Sequence, residues 1–493
     1  MKQENWLLQR ARQTPDAPAL ESAAGTLTFA ELADRARRGG AYVTATAASG
    51  DAPVALLLPD GADFVAWLQA ILLAGRAALP LNMRLTVEEL SSQLIDARVG
   101  CLLGEHGDAR LDELALRVPG LRAYAAPRLD ALPAARGTLP GEQFDPEAIM
   151  VVLFTSGTSG QARGACLSWR NFQASAVAAA ERLGTAVAGR WLACMPLCHV
   201  GGLSILVRSA LFGGPVRLHP RFDAAAVSDA LDAGDIAGLS LVPTMLSRLL
   251  AQRTGRPPPS GLRVLLLGGA AAATELLQRS LAAGFPVCPT YGLTEAASQV
   301  ATAAPPKAGT TGPSPMIALP GMDLRIVDGD RVLPAGTAGE IAVRGPTIML
   351  GYLNDADATA RALRDGWLLT GDIGRLDRDG ALQVLDRRDD LVVSGGENVY
   401  PAEVEAVLLA HPMVSEAGVS GVPDADLGAR VVAWIVTHPG AAADAAMLEA
   451  YCRGRLAGYK LPREFRFVDA LPRTSSGKLQ RRRLNEPIQA RPG

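Results

Sequence analysis

Short apolar runs alternate with alanine-rich stretches of helical pattern from about residue 27 to about residue 300. Because the runs end in Gly or Pro, this alternation is typical of parallel strands joined by crossover helices. The pattern predicts strands at Val54–Leu58, Met150–Phe154, Trp191–Met195, Leu239–Val242 and Arg263–Leu267. We therefore expect an α/β fold for this part of the chain.

The pattern changes twice beyond this region. After Thr310, short alternating runs such as Asp323–Val327 and Gly339–Val343 indicate a smaller antiparallel sheet or barrel. After Arg387, the pattern predicts a helix, a strand and a second helix, at Glu403–Ala410, Val431–Val436 and Ala446–Leu456. A compact α+β domain is therefore expected to close the chain.

Length and charge narrow the class of protein. The 493 residues exceed one ordinary hydrophobic core, so two or three domains are expected. The formal net charge is -2 and no long block of like charge occurs, which argues against nucleic acid as a partner. Small molecules are therefore the expected partners.

Cysteine spacing and hydropathy bear on the compartment. The six cysteines are scattered without metal-ligand spacing, so we expect reduced thiols in a cytoplasmic protein, with neither a structural disulfide nor a zinc site. The polar N-terminus lacks a secretory signal, and apolar stretches such as Phe64–Ala74 are too short to span a bilayer. We therefore predict no integral membrane segment.

The segment Leu153–Gly164 has the composition of a phosphate-binding loop. It follows a predicted strand and holds three glycines and four hydroxyl residues in twelve positions. Glycines let backbone N–H groups face an anion, hydroxyls donate further bonds, and an arginine supplies charge. The candidate phosphate ligands are Thr155, Ser156, Gly157, Thr158, Ser159, Gly160 and Arg163. On composition alone, a flexible Ser- and Gly-rich surface loop is an equal alternative.

Five further segments carry glycine-rich or polar motifs, in the order Leu267–Ala270, Thr290–Glu295, Trp367–Asp372, Ser394–Pro401 and Leu471–Lys478. Together with the loop, they resemble the motifs of the adenylate-forming superfamily, which includes acyl- and aryl-CoA ligases, luciferases and peptide-synthetase adenylation domains. The loop is similar to the superfamily's TSGTTGxPKG, although Ala162 replaces the usual proline and Arg163 the usual lysine. Weaker similarity before residue 153 extends the resemblance to nearly the whole chain.

The resemblance implies a reaction in two steps and a fold in two parts. A carboxylic acid and MgATP form an acyl-adenylate and pyrophosphate, and the thiol of coenzyme A then displaces AMP to give a thioester. The implied ATP- and acid-binding domain spans residues 1–386, with parallel α/β sheets and a small β-barrel-like subdomain. A hinge at residues 387–390, with Asp389 as its pivot, would lead to a smaller mobile α+β domain at residues 391–493.

The resemblance also implies roles for individual residues. In the ATP site, Tyr291 would face the adenine ring, Thr294 the α-phosphate and Glu295 the magnesium ion. The other nucleotide contacts would come from Gly268, Gly269, Ala270, Gly292, Asp372 and Arg387. Lys478 would stabilise the negative charge that builds up as carboxylate meets α-phosphate. The thiol of the second step would pass Ser394, Gly395, Gly396 and Glu397.

Two of these residues have simpler alternative explanations. Glu295 could start a helix, where the helix dipole favours a carboxylate. Lys478 could be a solvated side chain on a basic tail with Arg481, Arg482 and Arg483. The chain has only four lysines, however, and Lys478 ends a complete motif, which favours the catalytic role.

A narrower resemblance indicates the acid. The segments Pro196–Ser209 and Thr290–Val300 resemble those of the o-succinylbenzoate-CoA ligases of menaquinone synthesis. His199 would then gate the acid pocket, and Arg208, Ser298 and Gln299 would bind a second carboxylate and a ketone. As alternatives, His199 or Ser298 could cap a helix, and Arg208 could extend from a helix to solvent.

Several function classes share these motifs. A broader aryl- or medium-chain acyl-CoA ligase would carry every ATP motif, and so would an adenylation enzyme that loads a carrier protein. No carrier-like segment follows Lys478, which favours free coenzyme A. A non-catalytic sensor of ATP or acyl groups would have no need of the lysine. The sequence leaves the oligomeric state open, with a homodimer as one candidate.

Overall fold

The computed structural model describes residues 1–47, 50–155, 162–269, 272–307, 312–387, 392–394, 397–424, 427–441, 443–453, 455–456, 458–474, 477 and 479–486. Its helices are α1 (Trp6–Gln13), α2 (Phe29–Thr46), α3 (Ala62–Leu73), α4 (Val87–Asp96), α5 (Arg110–Arg117), α6 (Trp169–Leu183), α7 (Val200–Phe212), α8 (Ala224–Asp232), α9 (Pro243–Gln252), α10 (Thr274–Ala282), α11 (Ala356–Ala362), α12 (Pro401–Leu409) and α13 (Ala445–Arg453).

The strands of the first half of the chain are β1 (Gln3–Glu4), β2 (Pro18–Ser22), β3 (Gly25–Thr28), β4 (Val54–Leu57), β5 (Ala78–Pro80), β6 (Cys101–Gly104), β7 (Arg122–Ala125), β8 (Gln143–Phe144), β9 (Ile149–Thr155), β10 (Arg163–Ser168), β11 (Trp191–Ala193), β12 (Val216–Leu218) and β13 (Gly238–Leu241). Those of the second half are β14 (Val264–Leu267), β15 (Val287–Leu293), β16 (Ser298–Ala303), β17 (Met316–Ala318), β18 (Asp323–Asp328), β19 (Arg331–Val332), β20 (Gly339–Arg344), β21 (Gly351–Tyr352), β22 (Leu363–Arg364), β23 (Trp367–Leu376), β24 (Leu382–Arg387), β25 (Val392–Ser394), β26 (Glu397–Val399), β27 (Val414–Asp424), β28 (Gly428–Thr437) and β29 (Glu464–Phe467).

Two large sheets form the N-terminal part of the molecule. A seven-stranded sheet has the order β21-β10-β9-β5-β4-β6-β7, and a nine-stranded sheet has the order β17-β16-β15-β14-β13-β11-β12-β2-β3. The five strands predicted from apolar runs are confirmed as β4, β9, β11, β13 and β14, with ends that differ by at most two residues.

The pairing is parallel in the middle of each sheet and antiparallel at three of the four edges; the edge strand β7 runs parallel to β6. The central pairs of the nine-stranded sheet, from β15 through β13 to β2, run parallel, as the helical crossovers require. The departures from the expected parallel arrangement are the pairs β9–β10, β10–β21, β2–β3, β15–β16 and β16–β17. Four of these pairs join strands that follow one another in the chain, which allows antiparallel pairing, whereas β10 and β21 are far apart in sequence. The strand pattern alone did not distinguish the two directions.

A shared apolar core joins the two large sheets. Leu56 of β4, Trp67 of α3 and Val216 of β12 belong to the same buried cluster, so helices such as α3 lie between the sheets. Ten of the twelve residues of α3 are buried, which accounts for its nearly uniform apolar sequence. Separate clusters cover the outer face of each sheet, one with α4 and α5 and one with α8 and α9. Both sheets are therefore covered on both faces, as expected for parallel sheets.

A closed ring of four charges ties together four strands at the amino edge of the nine-stranded sheet. Arg190 lies 2.7 Å from Glu21 and 2.7 Å from Asp235, and Arg217 lies 3.0 Å from each of the same carboxylates. The Glu21 side chain is only 15% exposed, so solvent screens it little. Each arginine thus has two partners, and each carboxylate has two.

Breaking this ring of ion pairs is expected to destabilise the protein without affecting the candidate active site. Glu21→Gln leaves two half-buried guanidinium groups with one partner each, and should lower the free energy of unfolding by about 1–3 kcal/mol. Urea denaturation measures the change. The matched control is Asp34→Asn, which breaks an exposed pair with Arg38 one helical turn away and should cost less than about 0.5 kcal/mol. Equal effects of the two substitutions would contradict a special role for the ring.

Two smaller sheets follow in the chain. The six-stranded sheet places β19, β18, β20, β23 and β22 in order, with β24 beside β23, and its antiparallel pairs confirm the sheet predicted after Thr310. The five-stranded sheet contains β25 to β29 and packs against α12 and α13. The helix, strand and helix predicted for this region are confirmed as α12, β28 and α13.

None of the described helices combines the length and the apolar character that crossing a bilayer requires. Five cysteines are buried and Cys198 is half-buried.

Candidate active site

The predicted nucleotide residues lie where parallel strands of the nine-stranded sheet end. β13, β14 and β15 are neighbours and run parallel, so the segments that follow them meet at one edge of the sheet. Gly268 and Gly269 follow β14, and a one-turn 3₁₀ segment, Thr294–Ala296, follows β15. A Cβ atom at Gly268 would lie 2.8 Å from the Thr290 methyl group, so the close approach of these two strand ends requires glycine. Ala270 lies outside the described residues.

The predicted phosphate loop lies between two antiparallel strands, β9 and β10. Its ends are held together because Thr155 of β9 pairs with Arg163 of β10, and the Thr155 hydroxyl donates to the Arg163 carbonyl oxygen at 3.4 Å. The Arg163 guanidinium lies 3.4 Å from a carboxylate oxygen of Asp355. The five residues between these ends that we predict to bind phosphate lie outside the described residues: Ser156, Gly157, Thr158, Ser159 and Gly160.

Tyr291 and Asp372 come together across two sheets. The Tyr291 hydroxyl donates to the Asp372 carboxylate at 2.8 Å, and both side chains are buried. In the six-stranded sheet, Asp372 of β23 pairs with Arg387 of β24. The structure thus brings together three residues predicted to contact the nucleoside, although they are 81 and 15 positions apart in sequence.

Glu295 lies in a tight turn that the surrounding structure holds. Gly292 has no room for a side chain, because a Cβ atom there would lie 1.7 Å from the Ser298 carbonyl oxygen. Ala297 and Ser298 have φ angles of +50° and +105°, which L-residues rarely adopt. The buried Ser175 hydroxyl donates to the Ala297 carbonyl oxygen at 2.7 Å and so helps to maintain this strained backbone. Strain of this kind is typical of functional turns.

The contacts of Glu295 differ from those of an ordinary helix-start residue. Its turn is only three residues long, so the dipole that would favour a carboxylate is small. Its carboxylate accepts a hydrogen bond at 2.9 Å from the hydroxyl of Tyr352, which comes from another sheet. A carboxylate held in this way at a sheet edge suits a hard cation such as Mg²⁺, which prefers oxygen ligands. The Glu295 carboxylate is thus chemically suited to the predicted magnesium ion, as one oxygen ligand.

His199 is the backbone N-cap residue of α7, but its side chain does not cap the helix. Its Nε2 atom is buried and has no hydrogen-bond partner among the described residues. Burial lowers the pKa of His199, and Arg84 shifts it in the same direction, so the imidazole is neutral at pH 7. The helix-cap alternative is therefore wrong for this side chain, which is available to a ligand.

Arg208 lies on the same helix and is buried. The guanidinium lies over the Trp191 ring, 4.5 Å from its centroid, and Nη1 donates to the Ser204 hydroxyl at 3.3 Å. Nε and Nη2 have no partner among the described residues. Burial lowers the pKa of Arg208 to about 10, which still leaves it charged at pH 7. The alternative that this arginine extends to solvent is wrong, since only 3% of the residue is exposed.

The other two acid-pocket candidates begin β16. Ser298 starts a strand, so the alternative of a helix cap is wrong. The Gln299 amide donates to the hydroxyls of Thr302 and Thr290, at 2.9 and 3.3 Å, whereas its Oε1 has no partner among the described residues. Gln299 therefore uses its donors to support the β15–β16 pair, which weakens its candidacy as a donor to the acid.

Two of the four residues predicted for the second step, Ser394 and Glu397, lie in the C-terminal sheet. Ser394 is buried and pairs with Glu397 and with Gly428 in adjacent strands. The pivot Asp389, the loop glycines Gly395 and Gly396 and the catalytic candidate Lys478 lie outside the described residues.

The segment on either side of residue 478 is anchored by two arginines. Arg473 donates to Glu416 at 2.7 Å and to the Gly477 carbonyl oxygen at 2.8 Å. Arg481 donates to both carboxylate oxygens of the buried Glu405, at 3.0 and 2.7 Å. The expectation of a solvated basic tail is therefore wrong for Arg481.

Sequence reasoning missed two residues at this site. Tyr352 contacts Glu295, as described above. Asp60 accepts a hydrogen bond from the Leu197 backbone N–H at 3.0 Å and so supports the loop that precedes His199. A carboxylate just after the apolar strand β4 was a usable signal for Asp60, because ligand sites occur at such strand ends.

Together, these features define an α/β enzyme whose site lies at the carboxyl edge of a parallel sheet. The chain belongs to the AMP-binding enzyme family: the model of the AMP-binding enzyme domain matches residues 7–353, and that of the AMP-binding enzyme C-terminal domain matches residues 403–478.

Relatives and solved structures of this family cover nearly the whole chain. The chain is 39% identical to a 2-succinylbenzoate--CoA ligase of Bacillus cereus (strain ATCC 10987 / NRS 248) over 489 residues, or 98% of each chain. It is similar to the o-succinylbenzoate CoA synthetase from Bacillus subtilis in complex with the acyl-adenylate intermediate OSB-AMP, with 38% identity, a TM-score of 0.91 and full coverage of both chains. The structure of the B. subtilis enzyme with ATP and magnesium ion has a TM-score of 0.89 and 38% identity, and the match covers 99% of this chain and all of that one.

Proposed function

We propose that this protein is an AMP-forming acid–thiol ligase that converts o-succinylbenzoate to o-succinylbenzoyl-CoA with ATP, Mg²⁺ and coenzyme A. The full-length similarity to 2-succinylbenzoate--CoA ligases supports the reaction class. The single observation that carries the choice of acid is the buried, incompletely paired guanidinium of Arg208 on the helix that begins at the His199 loop.

The nucleotide end of the proposed site follows from the strand-edge residues. Tyr291 presents its ring to the adenine, and its hydroxyl orients Asp372, whose carboxylate accepts from the ribose hydroxyls. Thr294 donates to the α-phosphate, and the loop ends at Thr155 and Arg163 bring the glycine-rich segment to the other phosphates. When bound at Glu295, Mg²⁺ neutralises phosphate charge.

Lys478 supplies the positive charge for the first step. The substrate carboxylate attacks the α-phosphorus, an oxygen–phosphorus bond forms, and the bond to pyrophosphate breaks. Because two anions must meet, a lysine placed between them stabilises the transition state more than the separated reactants. In the second step, the coenzyme A sulfur attacks the acyl carbon, and AMP leaves with the carboxylate oxygen.

Arg208 would hold the carboxylate of the acid that is not activated. A buried cation without a nearby anion is unfavourable in the free protein, because burial removes its hydration. A dicarboxylic acid supplies the missing anion and can bond to the unpartnered Nε and Nη2. A monocarboxylic acid leaves the guanidinium unpaired, which explains in physical terms why this pocket would prefer o-succinylbenzoate.

Arg208→Met is expected to reduce kcat/KM for o-succinylbenzoate by about thirtyfold to a few thousandfold, which corresponds to the 2–5 kcal/mol lost when one partner of a buried charge pair is removed. For the analogue that lacks the ring carboxylate, kcat/KM should be the same in the wild-type protein and in Arg208→Met. Thermal stability should stay the same or rise, because the substitution replaces an unpaired buried charge with an apolar chain of similar length. Kinetics with the two acids and a melting curve measure these effects.

The matched control for this test is Arg253→Met. Arg253 is also buried, but it is bonded to Ser228, to the Pro257 carbonyl oxygen and to Asp232. Its loss should lower the melting temperature and leave the preference between the two acids unchanged. If Arg208→Met keeps the wild-type preference for the dicarboxylic acid, another residue binds the second carboxylate.

We also propose that the chain works as two domains, residues 1–386 and 391–493, that rotate about a hinge at 387–390 with Asp389 as the pivot. Support comes from the separate family matches, which leave residues 354–402 between them, and from the five-stranded sheet, whose strands all lie after residue 391. One orientation would bring Lys478 to the α-phosphate. The other would bring Ser394, Gly395, Gly396 and Glu397 to the thiol path.

This function is suited to the cytoplasm, where ATP and coenzyme A are available. All residues assigned above belong to one chain, so a monomer suffices for the chemistry and a homodimer is not required.

A further inference from the structure

Glu295 is held at two points by one short segment of the chain. The backbone N–H of Met349 donates to the Glu295 carbonyl oxygen at 2.8 Å. Three residues later, the Tyr352 hydroxyl donates to Oε1 of the same glutamate at 2.9 Å. The first bond fixes the backbone of Glu295 and the second fixes the rotation of its carboxylate.

The position of Tyr352 is itself set by the strand that leaves the phosphate loop. Tyr352 of β21 pairs with Ala165 of β10, and the next N–H, that of Leu353, donates to the Gly164 carbonyl oxygen at 2.7 Å. The Tyr352 N–H donates to the Thr359 hydroxyl at 2.8 Å. A strand pair and a helix-borne hydroxyl therefore hold the aromatic residue from both sides.

The Tyr352 ring also touches the end of the phosphate loop. The Arg163 guanidinium lies 5.8 Å from the ring centroid, within the range of a cation–π contact, and is kept there by Asp355. The Tyr352 hydroxyl is the donor in its bond to Glu295, because a carboxylate can only accept. One side chain thus links the phosphate loop to the candidate metal ligand.

We propose that Tyr352 is a positioning residue for metal-dependent nucleotide binding: it holds Oε1 of Glu295 and so orients the carboxylate that would bind Mg²⁺, and it couples this ligand to Arg163. The inference rests on the proposed function, in which Glu295 binds the metal. A carboxylate that is already oriented loses less rotational freedom when the metal binds. Hydrogen-bond partners of metal ligands typically change metal affinity by about 10- to 100-fold when they are removed.

Tyr352→Phe removes only the hydroxyl and keeps the ring beneath Arg163. The test measures the ATP dissociation constant by calorimetry in EDTA and again in saturating Mn²⁺, a probe for the magnesium site, with no acid present. The ratio of the two constants is the gain in affinity that the metal provides. We expect this gain to fall by about tenfold in Tyr352→Phe. The constant in EDTA should change by less than about twofold, because the ring and Arg163 remain.

Two further variants separate positioning from general stability. Tyr451→Phe also removes one hydroxyl bond, to the Ala410 carbonyl oxygen at 3.2 Å, but in the C-terminal sheet region. Both Tyr→Phe substitutions should lower the free energy of unfolding by about 1 kcal/mol. Only Tyr352→Phe should change the gain in ATP affinity that Mn²⁺ provides. In a Glu295→Gln background, Tyr352→Phe should cause no further loss, because its effect passes through the carboxylate.

The outcomes distinguish this inference from the function on which it rests. The inference is overturned if Mn²⁺ improves ATP affinity as much in Tyr352→Phe as in the wild-type protein. It is also overturned if Tyr352→Phe reduces this improvement by the same factor in the Glu295→Gln background as in the wild-type protein. Either result leaves the ligase proposal standing. If wild-type protein binds ATP no better in Mn²⁺ than in EDTA, the metal role of Glu295 is wrong and the inference fails with it.

Discussion

Lys478→Ala is expected to reduce the rate of acyl-adenylate formation by about 10²- to 10³-fold. This is the range seen when one group that stabilises charge in the transition state is removed. Thioester formation from supplied acyl-AMP should change by less than about fivefold, because no two anions have to meet in that step. Pyrophosphate release measures the first half-reaction, and consumption of supplied acyl-AMP in the presence of coenzyme A measures the second.

The structure around this lysine supports such a selective effect. Arg473 and Arg481 anchor the chain before and after it to Glu416 and Glu405, so the substitution should not unfold the segment. Lys460→Ala is the matched control, because this lysine also lies in the C-terminal region but is paired with Glu403 at 2.7 Å. The control should retain both half-reactions. Equal loss of both half-reactions in Lys478→Ala would show that the lysine supports the fold and not the adenylation step.

Asp372→Ala is expected to lower kcat/KM for ATP by about 10²- to 10⁴-fold, mainly through KM. The reason is that a buried carboxylate can accept from two ribose hydroxyls, and hydrogen bonds to charged groups contribute about 1.5–3 kcal/mol each. Steady-state kinetics with ATP as the varied substrate measure the effect. Tyr291→Phe should have a smaller effect of about 5- to 10-fold, because the carboxylate remains and loses only the hydroxyl that orients it.

A control carboxylate lies in the same six-stranded sheet. Asp323 is exposed and paired with Arg344, and Asp323→Ala should leave the kinetics with ATP within about twofold of wild type. If Asp372→Ala changes KM for the acid and not for ATP, the assignment of Asp372 to the ribose is wrong.

Much of the fold could be read from the chain because its elements have strong local patterns. Strands such as Val264–Leu267 are short, wholly apolar and flanked by turn residues, so their positions were predicted within two residues. Their pairing was harder to predict. β9 carries the same apolar pattern whether its neighbour runs parallel, as β5 does, or antiparallel, as β10 does.

The residues of the candidate site also fall into those that the sequence could predict and those that it could not. Gly268 could be found because it follows the apolar strand β14, and ligand sites occupy such strand ends. Asp372 lies in the middle of β23 and was predicted only from its resemblance to a family motif. Tyr352 could not be found, because its partner Glu295 lies 57 positions away and in another sheet. Arg208 was ambiguous for a different reason: α7 is apolar on nearly every face, so its pattern does not tell whether one arginine points outward or into the core.

The most direct test of the account is pyrophosphate release by the wild-type protein with ATP, Mg²⁺ and a panel of carboxylic acids, with and without coenzyme A. We predict that o-succinylbenzoate has the highest kcat/KM of the panel, that AMP and a thioester accumulate only when coenzyme A is present, and that the analogue without the ring carboxylate is at least about thirtyfold poorer. Absence of pyrophosphate with every acid, or equal rates for mono- and dicarboxylic acids, would contradict the proposed function.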